Sequence, residues 1–201
     1  MSYGPAAAPA GRSRGDRMKA AAVLMVGWVA LLWLLEAVDV ATGHALDPYG
    51  ITPREPAELA DIPPAVFLHF GFGHVAANTV PLLILGFLAA LGGVRRFLGV
   101  VCVIVLVGGL GVWFTAPPGS VTAGASVVVF GLFGYLLVRG FVDRRPLDIL
   151  VGLLVAMVYG SILWGVLPSA GAVSWQGHLF GLVGGVLAAF LFRRGRPDEP
   201  V

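Results

Sequence analysis

The hydrophobic positions of this chain gather into six long runs, near residues 20–41, 66–91, 97–115, 125–142, 147–167 and 176–192. The second run can start as late as residue 74. Each has the roughly 17–25 residues that an α-helix needs to cross a bilayer. The runs are continuously apolar rather than alternating, and a spanning backbone must satisfy its own hydrogen bonds, so helices are predicted instead of barrel strands. The expected fold class is all-α, a polytopic membrane bundle of six transmembrane helices. The first run follows a basic stretch, as a leader peptide would, but with five runs behind it an uncleaved first helix is expected.

Composition points the same way. The chain has 201 residues, 58% of them hydrophobic and 12% charged, with a mean hydropathy of +0.90. A water-soluble domain of this size would need more polar surface. No basic cluster is interleaved with aromatics, which argues against nucleic-acid binding. Cys102 is the single cysteine and cannot form an intrachain disulfide.

The placement of charge predicts the topology. Of the 13 basic residues only Arg54 falls outside alternate connections; the others cluster before the first run, at Arg95 and Arg96, around Arg139, Arg144 and Arg145, and after the sixth run. The positive-inside rule assigns those connections and both termini to the cytoplasm. Residues 1–18 and 194–201 are read as disordered cytoplasmic tails around one domain, 19–193. The connection from about 42 to 65, carrying "LDPYGITPREPAELADIPP", is expected to be ordered but irregular at the outer interface.

The second, fourth and sixth runs all begin on the outer side, and the polar groups lie near their starts. The second carries His69, His74 and Asn78, the fourth Ser126 and the sixth His178. At about 1.5 Å rise per residue these fall in one shallow layer. Polar side chains in a membrane usually face the bundle interior or a water-filled cavity. Gly177, Gly181 and Gly185 at four-residue spacing, with Gly124, Gly131 and Gly134 on the fourth run, allow close approach of the two helices. A serine within reach of a histidine is the minimum set for nucleophilic catalysis. His74 and Asn78, four apart on one face, and the Ser126 amide at a helix start are candidate oxyanion donors. No aspartate on these runs stands at the depth needed to orient His178, so a dyad is expected.

The patterns "HFGFGHVAAN" (69–78), "GASVVVFGLFGY" (124–135) and "GHLFGLVGG" (177–185) resemble the rhomboid intramembrane serine proteases in order, spacing and helix position. The likeness covers residues 20 to 192. It implies Ser126 as nucleophile, His178 as general base, and His74 and Asn78 as oxyanion stabilisers. It also implies an aromatic, Phe130, stacked on the histidine, and supporting glycines at Gly124, Gly181 and Gly185. The implied activity is peptide-bond hydrolysis in or beside a substrate's transmembrane helix, without metal or cofactor, at a bacterial plasma membrane with the site opening outward. The implied partners are transmembrane substrates and the lipid bilayer. Two departures stand out: Val127 follows the nucleophile where the family commonly has glycine, and the first connection has Arg54 but no tryptophan beside it. The alternative is a rhomboid-like protein that binds transmembrane clients without cleaving them; a transporter would call for more intramembrane charge or for broken helices in paired halves, and neither is visible in the runs.

Other polar residues have ordinary readings. His69 supports the loop at least as readily as it acts directly. His69 and His74, five apart, do not share a helix face as a metal pair would. Glu36 and Asp39 close the first run at the interface, and His44 is expected to be solvated.

Overall fold

The computed structural model describes residues 13–168 and 173–194, and among these the regular structure is helical apart from one isolated β-bridge, with turns and loops between. Helix α1 (Arg14–Ala41) is followed by two 3-10 turns, Asp47–Tyr49 and Pro56–Asp61, and by the short α2 (Ile62–Ala65). Then come α3 (Phe72–Ala90), α4 (Val94–Thr115), α5 (Ser126–Asp143), α6 (Pro146–Tyr159), which continues as a 3-10 segment to Val166, and α7 (Trp175–Leu191). Five segments are long and apolar enough to span a membrane; α7 is apolar and, at 17 residues, at the short limit for a span. The six predicted runs correspond to α1, α3, α4, α5, α6 with its 3-10 extension, and α7.

One boundary differs from expectation. Helix α1 starts at Arg14, inside the stretch 1–18 assigned to a tail. Ser13 is its N-cap: Ser13 Oγ accepts from the Asp16 amide at 3.1 Å and Asp16 Oδ2 accepts from the Ser13 amide at 3.2 Å. This capping box satisfies amides that would otherwise lack partners and lengthens the helix toward its start. Residues 1–12 and 195–201, the remainder of the expected tails, lie outside the described residues.

Helix α5 is the centre of the bundle: 67% of its apolar window is buried, against 11% for the window of α6 and its extension. Glycines bring α7 against it. A Cβ at Gly181 would strike the Val127 carbonyl oxygen, and one at Gly185 would strike the Gly131 carbonyl oxygen. The other face of α7 lies on α4, where a Cβ at Gly184 would stand 3.0 Å from Ile104 Cα. Backbone-to-backbone contact of this kind is how helices associate where lipid removes most of the hydrophobic drive.

At one end of the bundle, Arg139 pairs with Asp148 at 2.7 Å and Arg96 with Asp143 at 3.2 Å. The opposite end is the site end. There the first connection is held by Arg54, whose guanidinium donates to the Ala116 carbonyl at 2.8 Å and the Phe114 carbonyl at 3.3 Å, and whose amide donates to the Trp113 carbonyl at 3.1 Å. These are carbonyls that the last turn of α4 leaves without helix donors. Ile51 and Thr122 exchange backbone hydrogen bonds at 2.8 and 3.0 Å, tying that connection to the segment that leads into Ser126.

Candidate active site

A cavity of about 810 Å³ opens between α3, the segment 116–123, α5 and α7, and Ser126, His74, Gln176 and His178 share its wall. Ser126 is the first residue of α5 and half-buried; His178, in the first turn of α7, is 7% exposed.

His178 is fixed on two sides. Its ring lies parallel to Phe130, centroids 3.9 Å apart at an angle of 7°. Its Nδ1 is 2.9 Å from the Gly165 carbonyl oxygen, in the 3-10 segment that follows α6. A carbonyl can only accept, so Nδ1 carries the proton and Nε2 of the neutral ring is left as an acceptor. Gly165 is required by the contact itself: a Cβ there would stand 2.9 Å from both His178 Nδ1 and Phe130 Cζ. Among the described residues no hydrogen bond joins the Ser126 hydroxyl to the imidazole; catalytic hydrogen bonds are often long without substrate and tighten when it binds.

The approach to Ser126 depends on Gly124. Its φ of +136° disfavours any side chain, and a Cβ there would stand 2.8 Å from His74 Cε1 and 2.9 Å from His74 Nε2. Glycine therefore lets the His74 ring lie over the backbone just ahead of the serine. His74 Nδ1 accepts from the Phe70 amide at a long 3.5 Å, which leaves the proton on Nε2 as a donor at the Gly124 side. Asn78 is buried and is not part of the cavity wall. Its Nδ2 donates to the His74 carbonyl at 3.1 Å, which leaves one amide hydrogen uncommitted.

His69 has a backbone partner that no sequence pattern announces. Its Nε2 accepts from the Ala125 amide at 3.2 Å, holding the residue that precedes Ser126, and its ring meets His74 edge-on at 4.9 Å. Burial, with the neighbouring His74 as a second cause, lowers the His69 pKa to about 4. A neutral ring is what accepting from an amide requires.

Val127 is accommodated by absences elsewhere. It lines the cavity, and a Cβ at Gly108 of α4 would strike its Cγ1, while one at Gly177 of α7 would stand 3.1 Å from its Cγ2. Glycines on both neighbouring helices make the room that glycine after the serine would otherwise provide. Gln176, 6% exposed, adds a polar group to the wall beside His178. Neither Gln176 nor the Gly165 carbonyl is marked by the sequence motifs, since a backbone acceptor has no side-chain signature.

The arrangement places a hydroxyl, an imidazole with a basic nitrogen and a second imidazole with a donor nitrogen around one space, the set that acyl transfer needs. Comparison with known proteins points in the same direction. A Rhomboid domain model matches residues 56–195. An uncharacterized protein of Mycobacterium tuberculosis (strain ATCC 25618 / H37Rv) is 45% identical over 172 residues, covering 82% of this chain and 72% of the relative. An uncharacterized protein of Mycobacterium leprae (strain TN) is 41% identical over 187 residues, covering 89% and 74%. YdcA of Bacillus subtilis (strain 168), whose name assigns it provisionally to the rhomboid proteases, is 31% identical over 173 residues, covering 81% and 83%. With the model spanning well over half of its length, this chain belongs to the rhomboid family.

Proposed function

We propose that the protein is an intramembrane serine endopeptidase that cuts a peptide bond in or beside a substrate's transmembrane helix. One observation carries the reading: the Gly165 carbonyl holds the proton on His178 Nδ1, so the imidazole offers a basic Nε2 in the cavity that also holds the Ser126 hydroxyl. In the proposed reaction Ser126 Oγ attacks the scissile carbonyl carbon while His178 Nε2 takes the hydroxyl proton. Charge then develops on the carbonyl oxygen. The Ser126 amide, at the start of α5 and without a backbone acceptor among the described residues, and His74 Nε2 are the donors offered to it in this cavity, and Asn78 contributes by bonding the turn that carries His74. His178 returns the proton to the departing amine, and water, activated by the same ring, releases the acyl group from Ser126. The basic end of the bundle is assigned to the cytoplasm, so the cavity opens on the opposite face, where water reaches it and a substrate helix enters from the lipid.

A second reading has its own observation. Val127 occupies the wall directly after Ser126, and the serine and histidine are not hydrogen-bonded, as in a family member that binds helices without cutting them. A fluorophosphonate probe separates the two readings, because labelling of Ser126 requires an activated hydroxyl. The protease reading expects labelling of the wild type and loss of both labelling and cleavage, by at least about 10⁴-fold, in Ser126→Ala and His178→Ala proteins that still fold. Cleavage retained by Ser126→Ala would refute it; a folded wild type that neither labels nor cleaves supports the binding reading.

A further inference from the structure

The first connection and the end of α1 bring together three residues that the sequence gives no reason to associate. Helix α1 closes on Thr42, and Gly43 and His44 both take positive φ, +70° and +66°, which turns the chain back over the helix end. His44 Nδ1 is thereby placed 3.0 Å from Asp39 Oδ2 and 3.7 Å from Asp47 Oδ2, and one potential ligand atom from each of the three lies within 4.8 Å of the others. Asp39 is 2% exposed, and its second oxygen accepts from the Leu46 amide at 2.7 Å. Asp39 Oδ2 and His44 Nδ1 share a proton in this contact, and an ion that displaced it would find both atoms already oriented, the carboxylate by its outer hydrogen bond as metal ligands commonly are.

Glu36 is an independent sign. It lies one turn before Asp39 on the same face of α1 and is 2% exposed; no side chain bonds either carboxylate oxygen, and the Gly71 amide is the backbone donor that acts on it. It is within electrostatic reach of Asp39, Asp47 and His44. Three carboxylates therefore gather at the end of α1, Glu36 and Asp39 buried and Asp47 partly exposed, and among the charges that reach Glu36 and Asp47 within the described residues only His44 can be positive. Buried charges are ordinarily paired or coordinate a metal, and one imidazolium supplies at most a third of the charge that three ionised carboxylates lack.

The geometry points to a divalent transition-metal site formed by Asp39, His44 and Asp47, with Glu36 as an adjacent carboxylate whose charge the ion would balance. The separations of 3.0 and 3.7 Å bracket the edge of about 3.4 Å expected between ligands held at 2.0–2.2 Å from a tetrahedral ion. The imidazole favours the zinc class over calcium or magnesium, which prefer all-oxygen shells. Bound there, an ion would pin the start of the first connection to α1. The same connection reaches Thr122 through Ile51, so the site is structural and its existence does not depend on the protease reading.

The test uses full-length protein in detergent, stripped with EDTA, titrated with ZnCl₂, and counted for bound metal after dialysis. One zinc per chain is expected in the wild type, with affinity reduced at least tenfold in His44→Gln and in Asp47→Asn. Both residues are partly exposed in the connection, and thermal unfolding checks that the variants remain folded. A rise in the unfolding temperature with zinc, present in the wild type and absent from both variants, is the second expected result. The inference is overturned if the wild type retains no stoichiometric zinc, or if both variants keep wild-type affinity, which would put the ion on other histidines. It is also overturned if equal concentrations of calcium or magnesium displace the zinc.

Discussion

Substituting Gly185 by alanine tests the packing that holds the two halves of the site together. The new Cβ would stand 2.5 Å from the Gly131 carbonyl carbon and 2.8 Å from Gly131 Cα. Ordinary contact begins near 3.4 Å and the Gly131 carbonyl oxygen lies closer than its carbon, so α7 and α5 must part by at least about 0.9 Å at this level. The obstacle is backbone, and no rotamer change relieves it. Overpacking of this kind costs about 1–3 kcal/mol, and a main-chain clash belongs at the upper end. Gly185 and His178 are seven residues apart, two helical turns on one face, so a rigid shift of α7 is carried to the imidazole. A misplacement of about 1 Å costs on the order of 100-fold in rate. The assay pairs thermal unfolding in detergent with the rate of fluorophosphonate labelling at Ser126. Gly27→Ala is the control, since a Cβ at Gly27 in α1 meets nothing within 4 Å. If Gly185→Ala unfolds and labels like Gly27→Ala, the glycine contact is not what sets the distance between α5 and α7, and the reasoning fails.

Other outcomes follow from the same geometry. Gly108→Ala is expected to destabilise the wild type but to be better tolerated beside Val127→Ala, with a coupling of about 0.5–3 kcal/mol in a double-mutant cycle; additive effects would mean that Val127 does not fill the space left by Gly108. His69 has its pKa lowered from 6.5 to about 4, so between those pH values the unfolded chain takes up a proton that the folded protein refuses. Stability should therefore be full above pH 6.5 and fall by up to about 3 kcal/mol as pH drops to 4, with no further loss from this group below that. His69→Gln, which can still accept from the Ala125 amide, should flatten that part of the pH profile; an unchanged profile would assign the acid sensitivity to another group.

The helices and the choice of candidate groups were legible because a bilayer imposes a simple rule on sequence. Apolar runs of spanning length mark helices whatever they pack against, and a serine or histidine inside such a run stands out against hydrocarbon. The glycines of α7 were likewise readable as a contact face from their spacing. The start of α1 was misread: a basic, polar segment looks like a tail, yet the local Ser13–Asp16 capping box carries the helix out to Arg14. The effect of Val127 was not readable either, because its consequence depends on Gly108 of α4 and Gly177 of α7, far away along the chain.

What the order of residues decides here is local: where helices run, which end of each carries polar groups, and which faces are small enough to touch. Which nitrogen of His178 holds the proton is decided by the Gly165 carbonyl, which folding alone delivers. His69 reaches the amide of Ala125, and Asp39, His44 and Asp47 converge, by the same means. Helix formation and membrane insertion depend on neighbours within a few turns. Tautomer, amide pairing and the gathering of charges depend on atoms from separate elements meeting within about 3 Å, and a pattern along one chain carries no record of those distances.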